Sequence, residues 1–142
     1  MKKVFVLFAA ILIALGLAAC GGSVSEAASE VDIDYGESDL YSKADMDAAI
    51  ALIQNEFSTW EGCELHEIRY TSDECNSEEN IEWMNDLGDG NTEFTQCIEF
   101  ESDFHSPKNG GGAWEADTEY RNWQWWLART DDGEWNLMTW GF

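Results

Sequence analysis

The chain is poor in basic residues. It has seven lysines and arginines against 29 aspartates and glutamates, which gives a formal net charge of -22. A surface that binds DNA or RNA needs clustered lysine and arginine, and a polybasic contact with anionic lipid needs the same residues. The composition therefore excludes nucleic acid as a partner. It leaves two interpretations of the acidic surface, recruitment of cations or basic peptides and a well-solvated exterior, of which it favours the second.

Motifs that carry catalysis or metal binding are also missing. The sequence has no His-Glu-x-x-His, no Gly-x-Ser-x-Gly and no phosphate-binding loop, and His66 and His105 have no partner at a recognisable spacing. His66 lies between Glu64 and Glu67, which is typical of a surface imidazole beside carboxylates. Segment 86–91 lacks the ligand order of a calcium loop, and no cysteine or histidine pair has zinc spacing. We predict no catalytic residue, no metal site and no cofactor.

The apolar run at the start of the chain is too short for a membrane span, which needs about 20 residues. It extends from Val4 to Gly16, follows Lys2 and Lys3, and leads into the residues LAAC that end at Cys20. This order resembles the signal peptide and lipobox of bacterial lipoproteins. The resemblance implies cleavage after residue 19 and two or three acyl chains, such as palmitate, on Cys20. These chains would anchor the protein to the cell membrane on its extracellular face, since two suffice where one does not. The alternative is an ordinary secretion signal.

Three parts of the chain follow from this interpretation. Residues 1–19 are the predicted signal peptide, residues 20–40 the lipidated cysteine with an acidic flexible spacer, and residues 41–142 a single domain. Segment 21–40 is rich in Ser, Glu, Asp and Gly, so it cannot bury enough apolar surface to offset its ordering entropy. Removing the signal removes two basic residues and no acid, so the net charge becomes 5 - 29 = -24.

Cysteine is scarce outside the predicted lipobox. Only Cys63, Cys75 and Cys97 follow Cys20. An odd number in an exported chain permits at most one intramolecular disulfide, and the spacing does not choose among the three pairings. Free buried thiols are the alternative, because cysteine packs as a small apolar side chain.

Hydrophobic periodicity predicts the elements of the domain. Ser42 and Asp45 have the pattern of a capping box, and apolar residues then recur every three or four positions, which predicts a helix over 43–59 with one buried face. The other predicted elements are a strand at 63–71, a short helix capped by Asn76 or Ser77, a strand at 93–104 with one wet face, and a hairpin of strands 120–129 and 135–142.

The register of the hairpin decides which of its tryptophans share a face. A type I turn with Gly133 as a left-handed bulge residue pairs Trp125 with Thr139 and Leu127 with Leu137. A two-residue turn is the alternative, and it pairs Trp125 with Trp140.

The first register places six residues on the sheet face away from the helix: Gln124, Trp126, Ala128, Met138, Trp140 and Phe142. The patch is centred on Trp126, Met138 and Trp140. Monomers seldom leave such a patch exposed. We therefore predict that these residues form a homodimer interface or a surface for a protein partner.

Helix, strand, short helix, long strand and an aromatic hairpin ending in Gly133-x-Trp135-x-Leu137 resemble the NTF2-like, or cystatin-like, family. The resemblance implies an α+β fold in which a long N-terminal helix packs on a curved antiparallel sheet to form a cone. The residues it would place inside the cone are Tyr70, Tyr120, Trp123 and Trp125. The chain also resembles small anchored lipoproteins of Gram-positive bacteria.

The expected function is a binding or protein-interaction module without catalysis. The alternative is a small-molecule carrier or an enzyme that uses the interior of the cone. An empty cone with converging polar side chains would favour the alternative, and a filled one with an exposed apolar face would favour the module. The domain has few large aliphatic residues after the first helix, so its core has to be built largely from its eight tryptophans. This favours core or partner contacts over a platform for sugars.

Overall fold

The computed structural model describes residues 30–142. The predicted signal peptide and Cys20 lie outside the described residues. The elements are β1 (Asp32–Asp34), α1 (Lys43–Phe57), β2 (Glu64–Tyr70), a 3₁₀ helix (Asp73–Asn76), α2 (Glu78–Leu87), β3 (Gln96–His105), β4 (Glu119–Arg129) and β5 (Asn136–Gly141). No helix among these elements is long and apolar enough to cross a membrane.

One sheet of five strands organises the fold, and the order of its strands is β1-β2-β3-β4-β5. Strand β1 pairs with β2 in parallel, and every other neighbouring pair is antiparallel. The parallel pair is connected through α1, because a parallel connection needs a crossover rather than a tight turn. Strands β1 and β5 are therefore the two edges of the sheet.

The predicted NTF2-like cone, with a long N-terminal helix on a curved antiparallel sheet, is wrong. Residues 30–142 instead form an α+β fold with a mixed five-stranded sheet and two short helices, α1 of 15 residues and α2 of 10 residues. The prediction rested on the order of elements and on a Gly-x-Trp-x-Leu motif. Neither feature specifies the number or the direction of the strands.

The predicted flexible spacer is wrong for the residues that form β1. Asp32 pairs with Glu67, and Ile33 pairs with Ile68. Just beyond the strand, the backbone N–H of Asp39 donates to the Asp73 carboxylate at 2.8 Å. Backbone pairing and side-chain hydrogen bonds thus hold a segment whose composition offers little apolar surface.

Helix α1 begins as predicted. The Ser42 side chain accepts a hydrogen bond from the Asp45 backbone, and the Asp45 carboxylate accepts one from the Ser42 N–H, so the capping box is confirmed. The predicted apolar stripe is buried at Met46, Ala49, Ile50, Ile53 and Phe57, whereas its last predicted member, Trp60, lies beyond the end of the helix and is half-buried. The helix ends at Phe57, two residues before the predicted end.

Strand β3 shows that the two faces of the sheet differ. Ile98, Phe100 and Phe104 are fully buried on the face that meets α1. Glu99 and Glu101 lie on the opposite face, as the alternation predicts. Residues near the start of the strand depart from the pattern, because the 3₁₀ helix and α2 cover them, and Cys97 is fully buried there.

The hairpin register differs from the predicted one by a bulge. Leu127 pairs with Leu137 as predicted, but Trp125 pairs with Trp140, because Met138 is an extra residue in β5. Beyond a bulge of one residue, the side chains of a strand change face. Trp140 therefore lies on the same face as Trp125, not on the face predicted for it.

Candidate functional site

Six aromatic side chains form a partly exposed surface on the α1 side of the sheet. We call it the aromatic surface; its members are Trp60, Trp114, Tyr120, Trp123, Trp140 and Phe142. Trp140 is 40% exposed and Phe142 is 79% exposed. The surface stays uncovered because α1 ends at Phe57 and the chain turns at Gly62, whose φ is +75°.

The rings of the aromatic surface contact one another and the core. Trp123 and Phe142 meet edge to face with centroids 4.8 Å apart, and Trp60 lies 4.9 Å from Trp114. Trp60 also stacks on buried Trp125 at 5.2 Å, and Trp140 packs on Trp125 at 5.9 Å. The core therefore holds these rings in place from below while their outer faces meet solvent.

The indole N–H of Trp123 is unusual. Among the residues described, it is the only buried side-chain nitrogen or oxygen without a hydrogen-bond partner. An unpaired buried donor costs about 1–3 kcal/mol. This donor lies within the aromatic surface, beside Phe142 and Trp114.

The outer edge of β5 borders the aromatic surface. Residues 136–142, which comprise β5 and the following Phe142, contain no charged side chain, although a quarter of the whole chain is charged. The opposite edge, β1, has only three residues, and two of them are aspartates. Short and charged edge strands resist pairing with other chains, whereas a longer uncharged edge permits it.

The predicted interaction surface is not formed as one patch. Trp126 is only 8% exposed, because Trp83 of α2 packs against it with centroids 5.3 Å apart. Met138 is half-buried at the bulge, and Trp140 belongs to the aromatic surface on the other face. Of the three predicted residues, only Trp140 remains available to a partner.

The four residues predicted to line a cone fall into two groups. Tyr70 and Trp125 are buried in the core, where the Tyr70 hydroxyl donates to Asp73 and the Trp125 indole N–H donates to Ser102 at 2.8 Å. Tyr120 and Trp123 are half-buried in the aromatic surface. The rings thus fill the α1 side of the sheet instead of enclosing a cavity.

Both histidines of the chain meet on one carboxylate, which the sequence did not reveal. Nδ1 of His66 lies 3.1 Å from one oxygen of Glu119, and Nδ1 of His105 lies 2.9 Å from the other. A bulge between Leu65 and Glu67 turns His66 toward this point. The wet-face alternation of β3, extended by one residue, places His105 on the wet face, but its pairing with Glu119 depends on a bulge between Ser102 and Phe104 that the sequence does not mark.

His105 lies between two carboxylates. Its Nε2 lies 2.9 Å from Asp117, and its Nδ1 lies 2.9 Å from Glu119. The hydrogen bonds with Asp117 and then Glu119 raise the pKa of His105 above its ordinary value and so favour the protonated ring. In that form both nitrogens donate, and no lone pair is left to act as a base. The arrangement fastens the loop that carries Trp114 to the sheet.

A groove of about 620 Å³ lies between α1 and the β4–β5 turn. Arg129 is buried at its base, where it donates to Gln96 at 2.6 Å and to Asp45 at 2.8 Å. Its guanidinium carbon lies 4.2 Å from the ring centroid of Trp135. The Arg129 hydrogen bond and then Ser42 lower the pKa of Asp45 to about 2. These contacts join α1 to the β4–β5 hairpin, and the Asp45 carboxylate balances the positive charge of Arg129.

The cysteines within the described residues are free thiols. Cys75 and Cys97 are buried, and the Cys97 thiol donates to the Cys75 carbonyl at 3.0 Å. Burial raises the pKa of Cys75 to about 11 and that of Cys97 to about 12, so both remain protonated at neutral pH. In the same part of the chain, no group of His, Cys, Asp and Glu has an arrangement that could hold a metal ion.

Comparisons of the chain with protein-family models, with curated proteins and with solved structures found no match.

Proposed function

We propose that this protein is a lipoprotein anchored to the extracellular face of the cell membrane, and that its domain is a non-enzymatic module that binds a protein partner through the aromatic surface. The observation that carries the binding proposal is the exposure of two neighbouring rings, Trp140, which packs on buried Trp125, and Phe142, which packs on half-buried Trp123. A contiguous exposed apolar patch marks an interaction site, whereas a single exposed apolar side chain such as Trp83 does not. Rigid aromatic side chains also lose little conformational entropy on binding.

The arrangement of the interior supports a module rather than a carrier or an enzyme. The alternative function, a carrier or an enzyme, required the interior of an NTF2-like cone, and the fold does not form that cone. Trp125, Phe100 and Phe104 are fully buried on the α1 side of the sheet, where a ligand would have to enter. The exposed aromatic residues are thus the strongest candidates for contact with another molecule.

The anchor is tested by replacing Cys20 with alanine. The proposal expects the wild-type chain in the membrane fraction and the Cys20→Ala chain in the precursor form or in the medium, because the lipobox cysteine carries the acyl chains. Fractionation followed by immunoblotting measures both. Unchanged membrane association of the variant would contradict the anchor.

The binding surface is tested by photocrosslinking in the cells that make the protein. We expect a photoreactive residue in place of Phe142 to form covalent adducts with a partner protein, because this side chain is 79% exposed at the end of β5. The matched control carries the same residue in place of Trp83, which is 39% exposed on α2. Adducts are counted by mass after immunoprecipitation, and similar yields at both positions, or none at either, would contradict the proposed surface.

A further inference from the structure

We propose that β5 is a docking edge for an extended, basic segment of the partner protein, which joins the sheet as a sixth strand and stacks cationic side chains on Trp140 and Phe142. The inference rests on the proposed function and names the chemistry of the partner. It follows from three properties of the edge: its backbone, the spacing of its aromatic residues and the charge around it.

The backbone of β5 is suited to strand addition. Within residues 30–142, β5 is paired on one side only, with β4. The bulge at Met138 interrupts the regular ladder, so the outer backbone groups that an added strand can pair with are those beyond it, at residues 139–141. The other edge, β1, has only three residues, two of them acidic, and both its shortness and its charge disfavour pairing with another strand.

Trp140 of β5 and Phe142, the residue that follows the strand, have the spacing of a strand. Trp140 and Phe142 lie two residues apart and point to the α1 side, where Trp140 packs on Trp125 and Phe142 on Trp123. A strand that pairs with β5 places its own residues i and i+2 beside them, because side chains alternate between faces. Arginine or lysine at these two positions can lie over the rings, and cations bind best to the face of tryptophan.

Charge selects a basic segment over a second copy of the chain. The net charge of -22 makes two copies repel, whereas a basic segment is attracted. Acidic residues flank the edge: Asp131, Asp132 and Glu134 are exposed in the turn that precedes β5. Residues 21–29 of the chain itself contain one glutamate and no basic residue, so they lack the chemistry for this edge.

The test uses peptides of about seven residues that alternate threonine and arginine, the length of a typical strand. The full chain is titrated with the arginine peptide, with the same peptide carrying citrulline or glutamate in place of arginine, and with two versions methylated on alternate backbone nitrogens. Tryptophan fluorescence reports binding. The arginine peptide is expected to bind and to weaken as salt rises. The citrulline peptide is expected to bind at least tenfold more weakly, and the glutamate peptide not at all.

The methylated peptides distinguish strand addition from simple charge attraction. Alternate residues of a strand direct their N–H groups to opposite sides, so methylation in one frame should abolish binding and methylation in the other should leave it within about twofold. Equal binding of both methylated peptides and the parent would overturn strand addition. Equal binding of the citrulline peptide would overturn recognition of a cation.

Two exposed side chains supply matched variants. Trp140→Ala and Phe142→Ala should each weaken the arginine peptide about five- to tenfold, the range of one partly desolvated cation–π contact. Trp83→Ala on the opposite face should leave it unchanged, and circular dichroism checks that all three fold. An equally large loss of peptide affinity in Trp83→Ala would overturn the proposal. A dimer of the chain that the peptide does not displace would also overturn it. Adducts at position 142 without any peptide binding would leave the proposed function standing and remove this inference alone.

Discussion

Replacing Trp125 with alanine is expected to lower the free energy of unfolding by about 3–5 kcal/mol, the usual cost of removing a buried tryptophan. Trp125 is fully buried between Trp60 and the sheet, and its indole N–H donates to the hydroxyl of Ser102, which is also fully buried. The alanine variant loses apolar contacts, leaves a cavity and removes the donor to Ser102. Urea unfolding at neutral pH measures the change.

Two further variants separate the contributions to this loss. Trp125→Phe keeps most of the ring volume and removes the N–H, so it should cost about 1–2 kcal/mol. Trp83→Ala truncates a partly exposed ring that packs on Trp126 and should cost about 1 kcal/mol or less. A loss at Trp125 no larger than that at Trp83 would show that Trp125 is not at the centre of the core.

Replacing Arg129 with alanine is expected to cost about 3 kcal/mol, because one partner of a mostly buried ion pair is removed. The substitution breaks the hydrogen bonds to Asp45 and Gln96 and the contact with the ring of Trp135. Thermal and urea unfolding measure it. Arg121→Ala is the matched control, because the Arg121 side chain is 72% exposed and lies 3.9 Å from Asp103. That change should cost less than about 0.5 kcal/mol.

The Arg129 effect should also depend on pH. The pKa of Asp45 is lowered from 3.8 to about 2 in the folded state, chiefly by the hydrogen bond from Arg129. A lowered folded pKa contributes stability that is present above pH 3.8 and is lost as the pH falls through about 2. The difference in stability between wild type and Arg129→Ala should therefore shrink between about pH 5 and about pH 2. A difference that stays constant over this range would assign the loss to packing on Trp135 rather than to the ion pair.

Local patterns in the sequence predicted the first helix well. Its start depends on two side chains three residues apart, Ser42 and Asp45, and its buried face depends on spacing within about four turns. Both are properties of neighbouring residues, so the chain reveals them directly. The cap of α2 was predicted at Asn76 or Ser77, and the structure places it at Ser77.

Pairings between distant segments were harder to predict. The segment Asp-Ile-Asp of β1 has a composition typical of a spacer, and its pairing with β2 is 35 residues away in sequence, as the partners Asp32 and Glu67 show. The resemblance to the NTF2-like family implied no strand before the first helix. The predicted cone therefore lacked β1 and its parallel pairing with β2. Composition measures what a segment can bury by itself, not what a neighbouring strand can offer it.

One extra residue determined the outcome for the candidate site. The predicted pairing of Leu127 with Leu137 is confirmed, and the error begins only at Met138, where β5 bulges. Because a shift of one residue moves a side chain to the other face, Trp140 joined the aromatic surface and the predicted patch with Trp126 did not form. No residue type in that run marks the bulge, so the alternation alone could not locate it.

With Cys20 as the proposed anchor, the position of β1 would limit the distance between the bilayer and the domain. Because β1 begins at Asp32, residues 21–31 alone separate Cys20 from the sheet, and these eleven residues reach at most about 40 Å when fully extended. Four strand spacings of about 4.8 Å, about 19 Å in all, then separate β1 from β5. With the anchor as proposed, the tethered edge of the sheet is the one opposite the docking edge. A captured sixth strand, one spacing beyond β5, would therefore be held within about 65 Å of the bilayer, on the side of the domain away from its attachment point.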